Sequence, residues 1–385
     1  MEQQGDENYL TTAEVARRLN VKPETIYAYV SRGQLTSVRA RGRRGSLFAA
    51  GEVERLASKS VEHSGVVERI ETELSLLRDD ELYYRGHPVR ELASLRTFES
   101  VAELLWTGEL TGGKPFASLD GSAELARRAM ATAPDGARMT DQLRIGVAVL
   151  GAGDPLRFDL TPASVIATAR QLLGALIEAL PGATVAGDFS QRLWPKLSTQ
   201  PARPEVLNAV LVLLADHGLA ASTIAARVAA SARANLYSVV SAGLGALDGP
   251  YHGAATTLAY KFLDRALEDP MQALSDQLRS GEPVPGFGHR IYQRRDPRTE
   301  VLFGLLTGEP VMERVHQLTT KVNGFPNSDL ALAAMMHAYG FHPDAGEALF
   351  ALARIVGWTA HALEEYSEPG LRFRALGNYT GPAVT

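Results

Sequence analysis

Hydrophobic residues recur at helical spacing along most of the chain beyond about residue 78. Glycine and proline clusters separate the helical segments. The clearest segments are Phe98 to Trp106, Ala123 to Ala133, Pro162 to Leu180, Pro204 to His217 and Leu219 to Arg233. Alternating runs of β-branched residues are scarce, so the pattern predicts a mainly α protein with one short hairpin near Ser75 to Tyr84. The stretch from Val206 to Leu214 is apolar nearly all round, which predicts burial inside a large bundle or at a subunit interface.

The first 58 residues follow a different pattern, with short amphipathic segments and tight turns. Thr11 and Glu14 have the spacing of a capping box, which predicts a helix over about residues 12 to 19. Pro23 suits the first turn of a second helix, and Gly33 is placed to end it.

A basic segment follows these two helices and reads as a two-stranded wing over Leu35 to Phe48, with RARGRRGS at its tip. One more helix is expected over Glu52 to Ser58. The segment YLTTAEVARRLNVKPETIYAYVSRGQL resembles the excisionase-like and MerR-like helix-turn-helix domains over about residues 8 to 58. This resemblance implies double-stranded DNA as a partner; the alternative is a helical adaptor that no longer binds DNA. The candidate DNA contacts are Lys22, Thr25, Tyr29, Arg32, Arg41, Arg43 and Arg44.

Charge supports a division of the chain. The whole sequence has 39 basic and 44 acidic residues, a net charge of −5. From Thr11 to Phe48 there are eight basic and two acidic residues, so this segment carries +6 and the remainder −11. Such asymmetry indicates separate functions for the two parts.

Composition excludes several function classes. The absence of cysteine excludes disulfides, thiolate metal sites and a cysteine nucleophile. No apolar run reaches the ~18 residues that a membrane span requires, and the start MEQQGDENYL lacks the pattern of a signal peptide. We therefore expect a cytoplasmic protein without a membrane segment.

Four segments combine a polar residue with glycine-rich or tightly patterned surroundings. They are ADHGLAAST around His217, GPYHGAA around His252, VPGFGHRIY around His289 and FPNSDLALA around Asp329. Glycine allows a backbone to approach a ligand closely, so these segments are candidates for a binding site. For any one histidine alone, the alternative is a core or capping role.

Together these segments resemble the citrate synthase family, over about His63 to Pro382. The resemblance also rests on YYRGHPVRELA and on LFALARIVGWTAHALEE. It implies a mainly α homodimer, in which a large domain (59–253 and 340–385) and a small domain (254–339) follow the helix-turn-helix domain at 1–58.

The resemblance implies a condensation of acetyl-CoA with oxaloacetate. Asp329 would be the base that removes the methyl proton. His252 would stabilise the enol or enolate through the thioester oxygen, and His289 would polarise the ketone and protonate the new alkoxide. No metal or permanently bound cofactor is expected, since coenzyme A enters and leaves with the substrate and product.

Substrate-binding residues are also implied by the match. His217, Arg298 and Arg372 would bind the ketoacid, because guanidinium groups suit its two carboxylates. The loop that includes Val284, Gly286 and Gly288 would contact the adenine of coenzyme A through backbone groups. Arg290 and Arg294 would lie near its phosphates, and for these arginines a solvated basic loop is the alternative.

The sequence departs from the family pattern at three points. Thr256 stands where the family usually has asparagine, four residues after the first catalytic histidine. The family's RPRA reads Arg372-Phe373-Arg374-Ala375. A further arginine, which the family contributes across its dimer interface, has no evident counterpart up to Thr385.

Two functions follow as hypotheses. The first is a citrate synthase or 2-methylcitrate synthase with an attached DNA-binding domain. Acetyl and propionyl groups differ by one methylene, which sequence alone does not distinguish. The second is a transcription regulator that uses a synthase-like domain to sense a CoA thioester or ketoacid. The intact Asp329, His252 and His289 favour the enzyme.

Overall fold

A computed structural model describes residues 9–19, 21–31, 33, 35–39, 46–53, 70–373 and 381 of the chain. The chain divides into two compact units, Met1–Ile70 with Leu371–Thr385, and Glu71–Gly370. Each unit is described by itself below.

The first unit contains the predicted pair of short helices and the strands of the wing. Its elements are β1 (Tyr9–Thr11), α1 (Thr12–Arg18), α2 (Pro23–Ser31), β2 (Ser37–Arg39) and β3 (Ser46–Ala49). The strands form an antiparallel sheet in the order β1-β3-β2, in which Leu10 lies opposite Phe48. The three-residue strand β1 was not predicted, because YLT is too short to show an alternation.

Local sequence signals account for the helix ends in this unit. The Thr11 side chain caps α1 by accepting from the Glu14 amide, and Glu14 accepts from the Thr11 amide in return. Gly33 follows α2 with φ +68°, as the end of a helix favours. The expected helix over Glu52 to Ser58 begins earlier, at Ala50, and is described as far as Val53.

The second unit opens with a hairpin and continues as a helical bundle. The hairpin consists of β4 (Ser75–Arg78) and β5 (Glu81–Tyr84), as predicted, with the two-residue strand β6 (His87–Pro88) beside β5. The helices are α3 (Val89–Leu95), α4 (Phe98–Thr107), α5 (Ser122–Met130), α6 (Met139–Gly153), α7 (Pro162–Ala179), α8 (Phe189–Leu197), α9 (Pro204–Leu214), α10 (Ala221–Ser231), α11 (Leu236–Leu247), α12 (Ala255–Glu268), α13 (Pro270–Ser280), α14 (Pro297–Leu305), α15 (Val311–Thr319), α16 (Ser328–Ala338) and α17 (Ala345–Ser367).

The hairpin is fixed by contacts with residues far along the chain. Thr72, just before β4, donates to Glu364 Oε1 at 3.2 Å. Asp80, in the hairpin turn, accepts from the backbone amides of Gln293 and Arg294 at 2.7 and 3.1 Å. The hairpin therefore holds the loop that precedes α14.

Helix α17 forms the centre of the second unit. Every residue from Ala345 to Ala362 is buried, and the helix packs against α4, α6, α7, α9, α10 and α11. Gly243 of α11 allows one close approach, since a Cβ there would lie 2.6 Å from the Trp358 ring. A buried central helix explains why apolar residues occur on every face of it, with Glu347, Arg354 and His361 as buried exceptions.

The five predicted helices are present with ends shifted by a few residues. The segment expected to run from Pro204 to His217 ends at Leu214, because Asp216 and Gly218 turn the chain away, with Gly218 at φ +59°. The expected burial of Val206 to Leu214 is confirmed, with only Asn208 partly exposed. Within the described residues, no helix has the length and apolar character to cross a lipid bilayer.

Candidate active site

Four segments that lie far apart in sequence converge in the second unit. His217 follows α9, His252 lies in the turn before α12, His289 lies in the loop before α14, and Asp329 lies in the first turn of α16. The rings of His217 and His289 have centroids 5.3 Å apart. His217 Nε2 is 3.0 Å from the Tyr292 hydroxyl, and this buried pair forms the floor of the site.

His289 is held as a neutral hydrogen-bond donor. Its Nδ1 accepts from the backbone amides of Ile291 and Tyr292 at 3.0 and 3.2 Å, so the ring proton resides on Nε2. Burial and, to a smaller extent, the nearby Arg298 cation lower the pKa of His289 to about 4, against the opposing effect of the Asp296 carboxylate. At neutral pH this imidazole therefore has Nε2–H free to donate a hydrogen bond.

His252 has a partner that the sequence did not identify. Its Nε2 is 2.7 Å from the hydroxyl of Ser222, which is fully buried in the first turn of α10. Burial lowers the pKa of His252 to about 4, and the Arg354 cation contributes. When the serine hydroxyl donates to Nε2, the proton lies on Nδ1, which is then the donor available to a ligand. Ser222 lies in ADHGLAAST, five residues after His217, where a serine at a helix start reads as a cap.

Asp329 is held at the start of α16. Its backbone amide donates to the Asn327 side chain at 3.0 Å, and its Oδ1 accepts from the Thr256 hydroxyl at 2.7 Å. Burial raises the pKa of Asp329, while the Thr256 hydrogen bond and the Arg298 cation act in the opposite direction. A carboxylate with a raised pKa is a stronger base than one in water.

Arg298 is buried and oriented by a carboxylate. Its Nε and Nη2 donate to the two oxygens of Asp296 at 3.0 and 2.8 Å. Asp296 also accepts from the Ser328 amide at 3.0 Å, which links this ion pair to the start of α16. The guanidinium carbon lies 5.4 Å from the centre of the Tyr292 ring, which places the cation beside the two histidines on the floor of the site.

Arg354 of α17 is a second buried cation that the sequence analysis missed. Its Nε donates to the Leu214 carbonyl at 2.9 Å, while among the described residues Nη1 and Nη2 have no hydrogen-bond partner. Its guanidinium carbon lies 4.5 Å from the Phe350 ring, which is itself in edge contact with His252. A buried cation with free donors suits a carboxylate ligand. The available signal was one arginine inside the apolar run LFALARIVGW.

The loop from Val284 to Gly288 is joined to the segment that carries Asp329. The Gly288 amide donates to the Phe325 carbonyl at 2.8 Å, and the Asn327 amide donates to the Gly286 carbonyl at 2.9 Å. Gly286 has φ +85°, and a Cβ there would lie 2.7 Å from Leu330 Cβ, so this close approach requires glycine.

The predicted phosphate-binding arginines lie just after this loop. Arg290 is exposed, and Arg294 is exposed with its Nε 3.6 Å from Asp80. Arg295 is engaged by two carboxylates, Glu81 and Glu300. The first two are therefore better placed to meet a solvent-borne anion than Arg295.

Arg372 follows α17 and belongs to the first unit, so it is not among the side chains that the second unit brings together. Its guanidinium carbon lies 5.4 Å from the Phe373 ring. In the helix-turn-helix part, Lys22 is exposed, whereas Thr25 and Tyr29 are half-buried. Several predicted DNA contacts lie outside the described residues: Arg32, Arg41, Arg43 and Arg44.

The fold and the site together define a class of protein. A mainly helical unit surrounds three histidines held neutral or weakly basic, one carboxylate with a raised pKa and two buried guanidinium groups. This set suits an enzyme that binds an anionic, carboxylate-bearing ligand beside a general base.

The chain belongs to the citrate synthase family: the family model described as "Citrate synthase, C-terminal domain" matches residues 65–374. A second model, "Helix-turn-helix domain", matches residues 9–60. The chain is 29% identical to "Citrate synthase 2" of Bacillus subtilis, over 80% of this chain and 92% of that protein. It is 30% identical to "2-methylcitrate synthase 2" of Corynebacterium glutamicum, over 78% and 88%.

Solved structures agree with the fold. A citrate synthase from Thermoplasma acidophilum, in a ternary complex with carboxymethyl coenzyme A and oxaloacetate, superposes with a TM-score of 0.70 at 25% identity, over 85% of this chain and 97% of that one. The citrate synthase of Thermotoga maritima superposes with a TM-score of 0.65 at 26% identity, over 84% and 96%. The chain is thus a citrate synthase-like enzyme with a helix-turn-helix region.

Proposed function

We propose that this enzyme condenses acetyl-CoA or propionyl-CoA with oxaloacetate to give citrate or 2-methylcitrate and free coenzyme A. The observation that carries the proposal is the convergence of His252, His289 and Asp329 in one site, with His289 fixed as an Nε2–H donor by two backbone amides. Relatives of both names, "Citrate synthase 2" and "2-methylcitrate synthase 2", match over most of their length.

The reaction begins with proton transfer from carbon. The Asp329 carboxylate removes a proton from the carbon next to the thioester carbonyl, and the electron pair moves toward the thioester oxygen. His252 donates to that oxygen through its free ring nitrogen, which stabilises the charge as it forms. The raised pKa of Asp329 narrows the gap in acidity between base and carbon acid.

Carbon–carbon bond formation follows at the ketone of oxaloacetate. The enol carbon attacks the ketone carbon, and the ketone oxygen takes the bond electrons while His289 donates to it through Nε2–H. A proton then converts the alkoxide into a hydroxyl. Water finally hydrolyses the thioester, which releases coenzyme A and a new carboxylate.

The dicarboxylate requires cations and a donor. We assign Arg298 and Arg354 to its carboxylates, with His217 as a further contact, because both guanidinium groups are buried beside the histidines. Arg372 stays a proposed third contact from the sequence match. Two cations in a low-dielectric site bind a dianion far more strongly than in water.

Coenzyme A is assigned to the loop that includes Val284, Gly286 and Gly288, through backbone groups, with Arg290 and Arg294 near its phosphates. It acts as part of substrate and product, so no permanently bound cofactor is required. We further propose that residues 254–339 form a small domain which closes over the substrates, and that the enzyme is a homodimer.

A thiol-release assay with oxaloacetate and each acyl-CoA tests the condensation. Asp329→Ala should abolish release of coenzyme A and retain oxaloacetate binding by calorimetry. Asp276→Ala, an exposed carboxylate on α13, is the matched control and should keep full activity. Folded wild-type protein that releases no coenzyme A with either thioester would contradict the proposal, whereas turnover by Asp329→Ala would contradict its role as base.

Binding of double-stranded DNA by the first unit is a second candidate function. The helix-turn-helix match over residues 9–60 favours it, and so does the solvent-exposed side of α2, where Tyr27 is 62% exposed beside the exposed Lys22 and Ser31. The second helix of such a motif enters the major groove.

Fluorescence anisotropy with a labelled duplex at several salt concentrations tests this function. Lys22→Ala should weaken binding to any sequence and lower the slope of log affinity against log salt by about 1. Arg128→Ala, an exposed arginine of the second unit, should leave the slope unchanged. DNA binding without condensation activity would favour a regulator that senses a CoA thioester or ketoacid. An affinity independent of salt would argue against phosphate contacts.

A further inference from the structure

We propose that Thr256 is a positioning residue for the catalytic base: its hydroxyl fixes one oxygen of Asp329 so that the other faces the carbon acid. This inference rests on the proposed function of Asp329 as base. Thr256 is also the residue at which the sequence departs from the asparagine that is usual in the family.

The geometry of the pair is tightly defined. Thr256 lies in the first turn of α12, one turn after His252, and is fully buried. Its Oγ1 donates to Asp329 Oδ1 at 2.7 Å across the packed helices α12 and α16. The short helix segment thus connects the group that binds the thioester oxygen with the group that removes the proton.

The methyl group of Thr256 prevents the hydroxyl from turning away. Its Cγ2 faces Gly346 of α17, where even a single added Cβ would lie 2.3 Å from it. Rotating the side chain about χ1 would take the methyl group away from this apolar contact and the hydroxyl away from Asp329, which would lose its donor. Threonine therefore supplies both a donor and a steric lock, because β-branched residues have few χ1 rotamers.

The hydrogen bond distinguishes the two carboxylate oxygens. Oδ1 is occupied by the Thr256 hydroxyl, while within the described part of the chain no donor is bonded to Oδ2. The lone pairs of Oδ2 are therefore available to accept a proton. Without the hydroxyl, rotation about χ2 would exchange the two oxygens and lower the fraction of molecules with a base in the productive geometry.

Charged groups around Asp329 also act on the ionisation of its carboxyl, in addition to the Thr256 hydroxyl. Arg298 and Asp296, at the start of α14, face it with opposite charges. Glu347, in the first turn of α17, is bound to Thr257 at 2.5 Å and to Arg138. The neutral donor on Oδ1 stabilises the ionised form, in addition to these charges.

Replacement of Thr256 by valine removes the hydroxyl with little change in shape. In Thr256→Val, the acid limb of the kcat/KM profile should move upward by about one pH unit, since a hydrogen bond to a charged group is lost. On the plateau, kcat should fall about tenfold, while KM for oxaloacetate should change less than twofold. Thr256→Ser keeps the donor but lacks the methyl group, so it should restore most of the acid-limb position and give a kcat between those of Thr256→Val and wild type. Thr257→Val, one residue further along the same helix, should leave the acid limb in place.

Carboxyl ¹³C NMR of aspartate-labelled protein gives a readout that does not require turnover. The Asp329 signal, assigned by its loss in Asp329→Asn, should titrate about one pH unit higher in Thr256→Val than in wild type. An unchanged titration, or a serine variant that behaves like valine, would overturn the inference. A wild-type protein that releases no coenzyme A would instead refute the proposed function, and the NMR titration would still decide whether Thr256 controls Asp329.

Discussion

Replacement of Arg354 by methionine should stabilise the protein and at the same time destroy its affinity for oxaloacetate. Methionine matches the length of the arginine stem and removes the guanidinium group. This cation is fully buried, and within the described part of the chain its one hydrogen bond runs from Nε to the Leu214 carbonyl. Burial lowers the pKa of Arg354, although the facing Asp216 carboxylate acts in the opposite direction. A cation whose pKa is lowered on folding destabilises the folded state at every pH at which it is charged.

The magnitude follows from two opposing effects. Exchange of a buried charged group for a packed apolar side chain stabilises by about 1–4 kcal/mol, and the lost hydrogen bond to the Leu214 carbonyl costs about 1 kcal/mol. We expect a net gain of about 1 kcal/mol for Arg354→Met, which is roughly 1–2 °C in Tm for a chain of this size. Loss of a desolvated contact to a carboxylate costs about 3 kcal/mol, so affinity for oxaloacetate should fall roughly 100-fold.

Thermal denaturation with and without oxaloacetate measures both effects. At a concentration ~100 times the wild-type Kd, the ligand stabilises the wild type by about 2.7 kcal/mol and a 100-fold weaker variant by only about 0.4 kcal/mol. Arg227→Met is the contrasting control, because Arg227 is paired with Glu364 and Glu365 at 2.7 and 3.1 Å. That variant should lose about 3–5 kcal/mol. An Arg354→Met protein that melts well below wild type and keeps the full ligand-induced shift would refute the reasoning.

Three further predictions concern buried groups around the site. Burial alone would raise the pKa of Asp216, but a facing imidazole and Arg354 hold it at about 2. The ionised carboxylate therefore stabilises the fold by about 2 kcal/mol above pH 4, and this stabilisation is lost toward pH 2. In urea unfolding, the free energy of unfolding of Asp216→Asn should fall less between pH 4 and pH 2 than that of wild type, and an equal fall would contradict the prediction. Ser222→Ala removes the hydroxyl bonded to His252 and should lower kcat roughly 5- to 30-fold with unchanged Tm, which steady-state kinetics and a melting curve would check. Gly346→Ala places a carbon 2.3 Å from the methyl group of Thr256 and should lower the free energy of unfolding by about 1–3 kcal/mol in chemical denaturation. Wild-type stability would show instead that α12 and α17 move apart without cost.

Features determined by neighbouring residues were predictable from the sequence. The capping box of Thr11 and Glu14 needs only four residues, and both of its hydrogen bonds are present. The hairpin over Ser75 to Tyr84 and the five helices likewise depend on local periodicity and turn residues. The motifs around the histidines also led to residues that lie together in space, because each motif is a short, glycine-punctuated loop.

Features that depend on contacts across the chain were missed. Ser222 and His252 form a hydrogen bond although they are 30 residues apart in sequence, and Arg354 and Leu214 do so at a separation of 140 residues. No local pattern separates such a residue from an ordinary helix cap or a charged side chain. Once α17 is known to be buried, Arg354 stands out as an arginine inside an apolar run, because a buried cation needs an anion.

The contacts that fix the β4–β5 hairpin have a consequence for synthesis of the chain on the ribosome. Thr72 and its acceptor Glu364 are separated by 292 residues, and Asp80 and the Gln293 amide by 213. At about 5–20 residues per second, Glu364 is translated roughly 15–60 s after Thr72. During this interval the nascent hairpin lacks these partners, and the apolar side chains of Leu82 and Tyr84, buried in the finished protein, lack their cover. The hairpin therefore gains the hydrogen bonds that hold it only after nearly the whole second unit has been translated.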